Sequence, residues 1–232
     1  RHKYSRPSAG FFELPCGMLG PTPFDLDDGG WANLTSHCEA VVVTAIFGGT
    51  DLLITPFPGT SDRKTCYFAF LDAASAEAHH NAQNVPLQRH SDTMWVGKHG
   101  VWTLIVLRPN HKSPFPFANP RRTSRIPKLL SHRLFPNAKY IVWIDGNKRV
   151  KLPLDAFLNR IVQQGTYPIA FPTHAARQRT SERESNLTSR LRLEHSHPVY
   201  VQNAVYELGY KEFHTDRIIW GAVIVRDNTD LS

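Results

Sequence analysis

Residues 140–147 read YIVWIDGN: five positions without polar alternation, then an acid, a glycine and an amide. A strand with one solvated face alternates apolar and polar side chains, whereas a strand covered on both faces runs apolar throughout. Residues 140–144 therefore predict an interior strand of an α/β sheet. Asp145 follows with no spacer, which puts its carboxylate at the sheet rim. Upstream, residues 126–134 have helical spacing, with Pro127 in the first turn where a missing N–H costs nothing. Pro136 and Asn137 stop that helix. Downstream, Leu154, Phe157, Leu158 and Ile161 fall on one helical stripe, and Gly165 ends it.

The same signature recurs along the chain. Residues 41–47 (VVVTAIF) end in Gly48-Gly49-Thr50-Asp51, and residues 66–71 (CYFAFL) end at Asp72. Residues 101–107, 169–171 and 218–225 are further strand candidates. Residues 73–83 predict a short Ala-rich helix, 175–194 an exposed charged helix and 199–208 an amphipathic one. Three prolines within 111–120 make that stretch a loop. Buried strands alternating with helices argue for a mainly parallel sheet with helices on both faces. Residues 1–39, rich in Gly, Pro and Asp, read as an extended N-terminal arm, and residues 40–232 as one domain. Ligands of such sheets sit beyond the carboxyl ends of the strands. Three of those ends carry an acid: Asp51, Asp72 and Asp145.

The chain has 232 residues, 41% hydrophobic and 20% charged, an ordinary globular composition. No apolar run reaches membrane-spanning length. The first residue is Arg1 rather than Met, which reads as a fragment or a processed product. The net charge is +7, which favours an anionic partner but also serves plain solubility. The basic residues are spread out, except in 121–128 and 177–192. Of three cysteines, Cys16 and Cys38 flank a loop-like stretch, and a disulfide between them would suit a secretory compartment, though the residues leave that bond open. That pairing and two sequons, at Asn33 and Asn186, point to a secretory lumen.

The chemistry starts at Asp145-Gly146-Asn147. Hard divalent ions such as Mg²⁺ and Mn²⁺ take a few protein oxygens and share the rest with substrate phosphates. Asp145 and Asn147 offer two such oxygens, and Gly146 allows close approach. Asp-Gly is equally a common turn pair, so both readings stand on these residues alone. Arg125 and Lys128, at the start of the 126–134 helix, suit a phosphate or simply a solvated basic face. Gly48 and Asp51 suit a nucleoside or an ordinary turn. No HExxH, GxSxG or CxxC occurs. The five tryptophans read as core.

Five stretches together resemble one family: CGMLGPTPFDLDD from Cys16, VVVTAIFGGTD from Val41, CYFAFLD from Cys66, RIPKLLSHRLFPNAKYIVWIDGN from Arg125 and GAVIVRDN from Gly221. They are similar to the plant mucilage-related hexosyltransferases, a glycosyltransferase-like family formerly described as a domain of unknown function. The resemblance implies a GT-A-like fold, transfer from a nucleotide-sugar donor such as a UDP-sugar to a glycan acceptor, and Golgi residence as a type II membrane protein. A membrane would then be engaged only through an anchor outside these residues, and nucleic acid is not an expected partner. Asp145 takes the place of the first acid of the family's DxD metal motif, here Asp-Gly-Asn, so Asp145 and Asn147 are the implied Mn²⁺ or Mg²⁺ ligands. Asp216 resembles a family Asp before the last strand and is a candidate for acceptor or base work. Asp145 and Lys128 carry the expected chemistry, with Gly48, Asp51 and Arg125 on the donor. The family continues into an aromatic-rich segment past the last strand, so the domain reads as truncated at Ser232. Two rival readings remain: an alkaline-ceramidase-type lipid hydrolase and a non-catalytic polyanion or glycan binder.

Overall fold

The computed structural model describes Phe24 and residues 29–49, 51–56, 64–83, 85–112, 114–151, 153–162, 169–170 and 223–227. Within them the continuous apolar runs are strands: β1 (Ala40–Ile46), β2 (Thr65–Asp72), β5 (Trp102–Leu107) and β6 (Tyr140–Ile144). These four are mutually parallel, in the order β5-β2-β1-β6. Val43 of β1 lies between Phe68 and Trp143 on its two neighbours. Every residue of β5 is buried, as expected of a strand covered on both sides.

The sheet is less parallel than the sequence suggests. Its full order is β3-β4-β5-β2-β1-β6-β8-β7, and both margins are antiparallel. On one side β3 (Leu87–Arg89) and β4 (Met94–His99) extend β5. Gly100, at φ 56°, makes the tight turn from β4 into β5, a conformation glycine adopts at no steric cost. On the other side β8 (Val223–Asp227) pairs with β6, and β7 (Ile169–Ala170) with β8.

Helices cover both faces. Odd positions of β1, Val41 and Val43, join a core containing Trp31 of α1 (Gly29–Thr35) and Ile126 and Leu134 of α4 (Arg125–Leu134). Even positions, Val42 and Ile46, pack with Ala76 of α2 (Ala73–Gln83) and Leu154 and Leu158 of α5 (Leu154–Val162). Short α3 (Pro120–Thr123) precedes α4. α1 falls inside the stretch read as an extended arm; its Trp31 donates from Nε1 to Leu134 O at 2.7 Å, which ties it to the end of α4.

The disulfide differs from a Cys16–Cys38 pairing. Cys38, just before β1, is bonded to Cys66 at the start of β2. The parallel register sets Val41 against Cys66, so the two cysteines meet where neighbouring strands begin. Cys16 lies outside the described residues, as do the expected helices 175–194 and 199–208 and the front of the last strand, 218–222.

Candidate functional site

The chain leaves β1 toward β2 and β5 on one side, then returns from β5 across the sheet to β6 on the other side of β1. The strand order therefore reverses between β1 and β6. In open parallel sheets the crevice at the carboxyl ends of such a pair is the usual ligand site. Here the ends are Phe47-Gly48-Gly49 and Asp145-Gly146-Asn147.

Asp145 is half-buried, and one of its oxygens takes two donors. Lys128 Nζ of α4 is 3.0 Å from Oδ1, and Trp143 Nε1 is 2.8 Å from the same atom. Trp143 and Asp145 lie two residues apart along the strand, so both point to the α4 side. Lys128 Nζ also sits 5.5 Å from the Trp143 ring centre, within cation–π range. The Lys128 side chain is 23% exposed and that of Asp145 38%. Both partners can therefore be reached by a ligand at the rim.

A second basic group props the helix from below. Arg226 of β8 donates from Nη1 to Lys128 O at 3.0 Å and contacts Ser131 Oγ. Burial lowers the Arg226 guanidinium from its usual pKa. His132 lies beside it, its pKa lowered first by burial and then by the charges of Arg226 and Arg133.

Gly146 has a steric reason. A Cβ there would stand 2.7 Å from Ile46 Cγ1 and 3.0 Å from Ile46 Cδ1, closer than packed carbons allow. Thr44 stands on the same side, its hydroxyl fully buried and without a partner among the described residues.

The β1 end is built differently from its sequence reading. Gly48 and Gly49 have φ of 83° and 66°, so both need glycine for conformational reasons. Gly48, expected on the donor, has its N–H donating a hydrogen bond to Asp72 Oδ2 at 2.8 Å. Asp72 also accepts from Ser75 N at 2.8 Å, capping α2, and Ser75 Oγ accepts from Gly49 N at 3.0 Å. Asp72, one of the three rim acids, is thus committed to holding the loop. The loop is fixed further along by His79, which accepts from Leu53 N at 2.7 Å through Nε2 and donates to Ser75 O through Nδ1. A Cβ on Gly48 would lie 3.3 Å from Pro120 Cβ, so α3, with exposed Arg121 and Arg122, borders the same rim. Asp51 is exposed and lies five residues past the end of β1 rather than at it, and Arg125 is exposed at the start of α4; Asp216 lies outside the described residues.

For a hard divalent ion one carboxylate suffices when phosphates and water complete the shell. Asp145 meets that minimum, and exposed Asn147 stands two residues on. No three-ligand group among the described residues includes Asp145; the one such group, His37, Cys38 and Cys66, contains the disulfide. The residues therefore fit a metal whose coordination comes largely from the substrate. Sequence reasoning missed Trp143, read as core only. The signal was the two-residue spacing to Asp145 on a strand.

The TOD1/MUCI70 glycosyltransferase-like domain model matches residues 5–232. The chain belongs to that family. Among curated proteins, "Probable hexosyltransferase MUCI70" from Arabidopsis thaliana is 27% identical over 170 residues, covering 70% of this chain and 27% of the relative. "Alkaline ceramidase TOD1" from the same plant is 32% identical over 150 residues, covering 63% of this chain and 29% of the relative. The chain thus spans less than a third of either relative's length. No solved structure matches. No helix among the described residues is long and apolar enough to cross a membrane.

Proposed function

We propose that this domain is a hexosyltransferase that binds a nucleotide-sugar donor at the β1/β6 crevice, with a GT-A-like arrangement, and passes the sugar to a glycan acceptor. The observation that carries the reading is Asp145, placed at the reversal of strand order and held there by Lys128 and Trp143. In glycosyl transfer from such donors, negative charge grows on the departing diphosphate. Fixed positive charge aimed at that group lowers the barrier. Lys128 is the group in position: it leaves Asp145 for a phosphate oxygen when the donor arrives, while Trp143 keeps the carboxylate oriented. Arg125, one turn earlier on α4, adds charge at the helix start, and Asp51 accepts from the nucleoside. A Mn²⁺ or Mg²⁺ ion on Asp145 and Asn147, when bound, supplies Lewis-acid neutralisation of the diphosphate. Asp216 remains the candidate base toward the acceptor hydroxyl.

The setting fits the Golgi lumen, since the Cys38–Cys66 disulfide belongs to an oxidising compartment. The test is release of nucleoside diphosphate from UDP- and GDP-sugars, with and without Mn²⁺, by the wild type, Asp145→Ala and Trp143→Phe. The expected order of rates is wild type above Trp143→Phe above Asp145→Ala. Equal rates in all three would refute the assignment.

A second reading, lipid amide hydrolysis, is favoured by the name of the 32%-identical relative. Release of fatty acid from a ceramide, unaffected by Asp145→Ala, would support it over sugar transfer.

A further inference from the structure

A cavity of about 250 Å³ lies on the α5 side of the sheet. Its floor is Val142 and Ile144, which alternate with Trp143 and Asp145 and therefore occupy the opposite face of β6. Leu154 and Phe157 of α5 form one wall, and Val150 borders it. The stretch that borders the cavity also carries Lys148, Arg149 and Lys151. The turn 145–148, closed by Lys148 N donating to Asp145 O at 2.9 Å, thus separates a polar site on one face from an apolar cavity on the other.

The lining sorts ligands by chemistry. A sugar or a nucleotide would lose hydrogen bonds to water against apolar walls and regain none. An alkyl chain pays no such cost, and an apolar cavity readily stays dry. Lys151, exposed at the edge, then favours negative charge on the ligand's polar end. We propose that this cavity is a second binding site, taking the alkyl chain of a monomeric anionic amphiphile whose headgroup rests at exposed Lys151. The cavity lies on the face of β6 opposite Trp143. Its size is near the lower bound of about 300 Å³ for small-molecule pockets, so it holds part of a chain and leaves the remainder outside.

The test is calorimetric titration of the folded chain with hexyl, octyl and decyl phosphate, each below its micelle concentration. Burial of each added methylene should tighten binding about fourfold until the cavity is full, after which the gain should stop. Octyl glucoside should bind more weakly than octyl phosphate, and the difference should shrink in high salt. Val150→Trp fills the cavity and should weaken octyl phosphate at least tenfold with the melting point retained. Lys151→Glu should weaken octyl phosphate and leave octyl glucoside unchanged, which guards against a folding defect in the first variant. Affinity independent of chain length would overturn the proposal, as would a chain-length dependence that survives Val150→Trp. Equal affinity for the glucoside and the phosphate at low salt would overturn the headgroup assignment.

Discussion

Removing the Cys38–Cys66 bond by the double substitution Cys38→Ser/Cys66→Ser should destabilise the domain by an amount set by the loop it closes. The cysteines are separated by 28 residues. On the chain-entropy model, a cross-link of that span restricts the unfolded chain by about 3.5 kcal/mol at room temperature. For a domain of this length each kcal/mol is worth about 2–4 °C in the midpoint, so melting should fall by about 7–14 °C. Cys38 is buried, 3% exposed, and a serine hydroxyl in its place adds a polar group to satisfy, so the drop should lie in the upper half of that range. The assay is thermal unfolding followed by circular dichroism, paired with peptide mapping under non-reducing conditions. A Cys16–Cys38 peptide would refute the pairing. So would an unchanged midpoint in the double variant.

Gly146→Ala should cost about 1–3 kcal/mol, the usual range for forcing a methyl into a filled core, because its Cβ meets Ile46. In a double-mutant cycle with Ile46→Ala the two effects should couple by at least 0.5 kcal/mol in the relieving direction, measured by urea unfolding. Thr44→Val removes a buried hydroxyl with no partner among the described residues and should stabilise by about 1 kcal/mol in the same assay; a loss would reveal a partner. His132 has a pKa lowered mainly by burial, so the unfolded chain binds protons before the folded one does. Stability should therefore rise with pH from below the folded pKa up to the ordinary value of about 6.5. Equivalently, acidification through that window weakens the fold. His132→Gln should flatten that part of the profile without removing the part due to His99, whose pKa is lowered by burial and by His79.

The parts of the fold legible in the sequence were those where a single local pattern decides. Residues 41–47, 66–71 and 140–144 run without polar alternation, Thr44 apart, because both faces are covered, and their short length between turn residues marks them as strands. The rim position of Asp145 followed from the same run. The β3–β4 hairpin was not legible: Gly97 faces inward against Leu87 and Pro86, while Lys98 and His99 break the apolar pattern, so neither periodicity is satisfied. α1 is seven residues opening on two glycines, a poor helix locally, and it is held by Trp31 against Leu134, a partner over a hundred residues away. The cysteine pairing depended on which strand lies beside β1, and spacing cannot supply that. In the site, Asp145 and Lys128 were both marked by sequence, but their ion pair spans 17 residues and needed the helix to fold back onto the strand end. The role of Gly48 changed for a similar reason. Its amide faces Asp72, whose position comes from the β1–β2 register.

The most direct test of the central claim is isothermal titration of UDP- and GDP-sugars, with and without Mn²⁺, into the folded wild type, Lys128→Ala and Asp145→Ala. A donor site there gives saturable binding of one nucleotide class by the wild type, tightened by Mn²⁺. Lys128→Ala should weaken this binding, and Asp145→Ala should abolish the metal effect. Binding that is identical in all three proteins, or absent from a wild type shown to be folded, would contradict the placement of a donor site at the β1/β6 crevice.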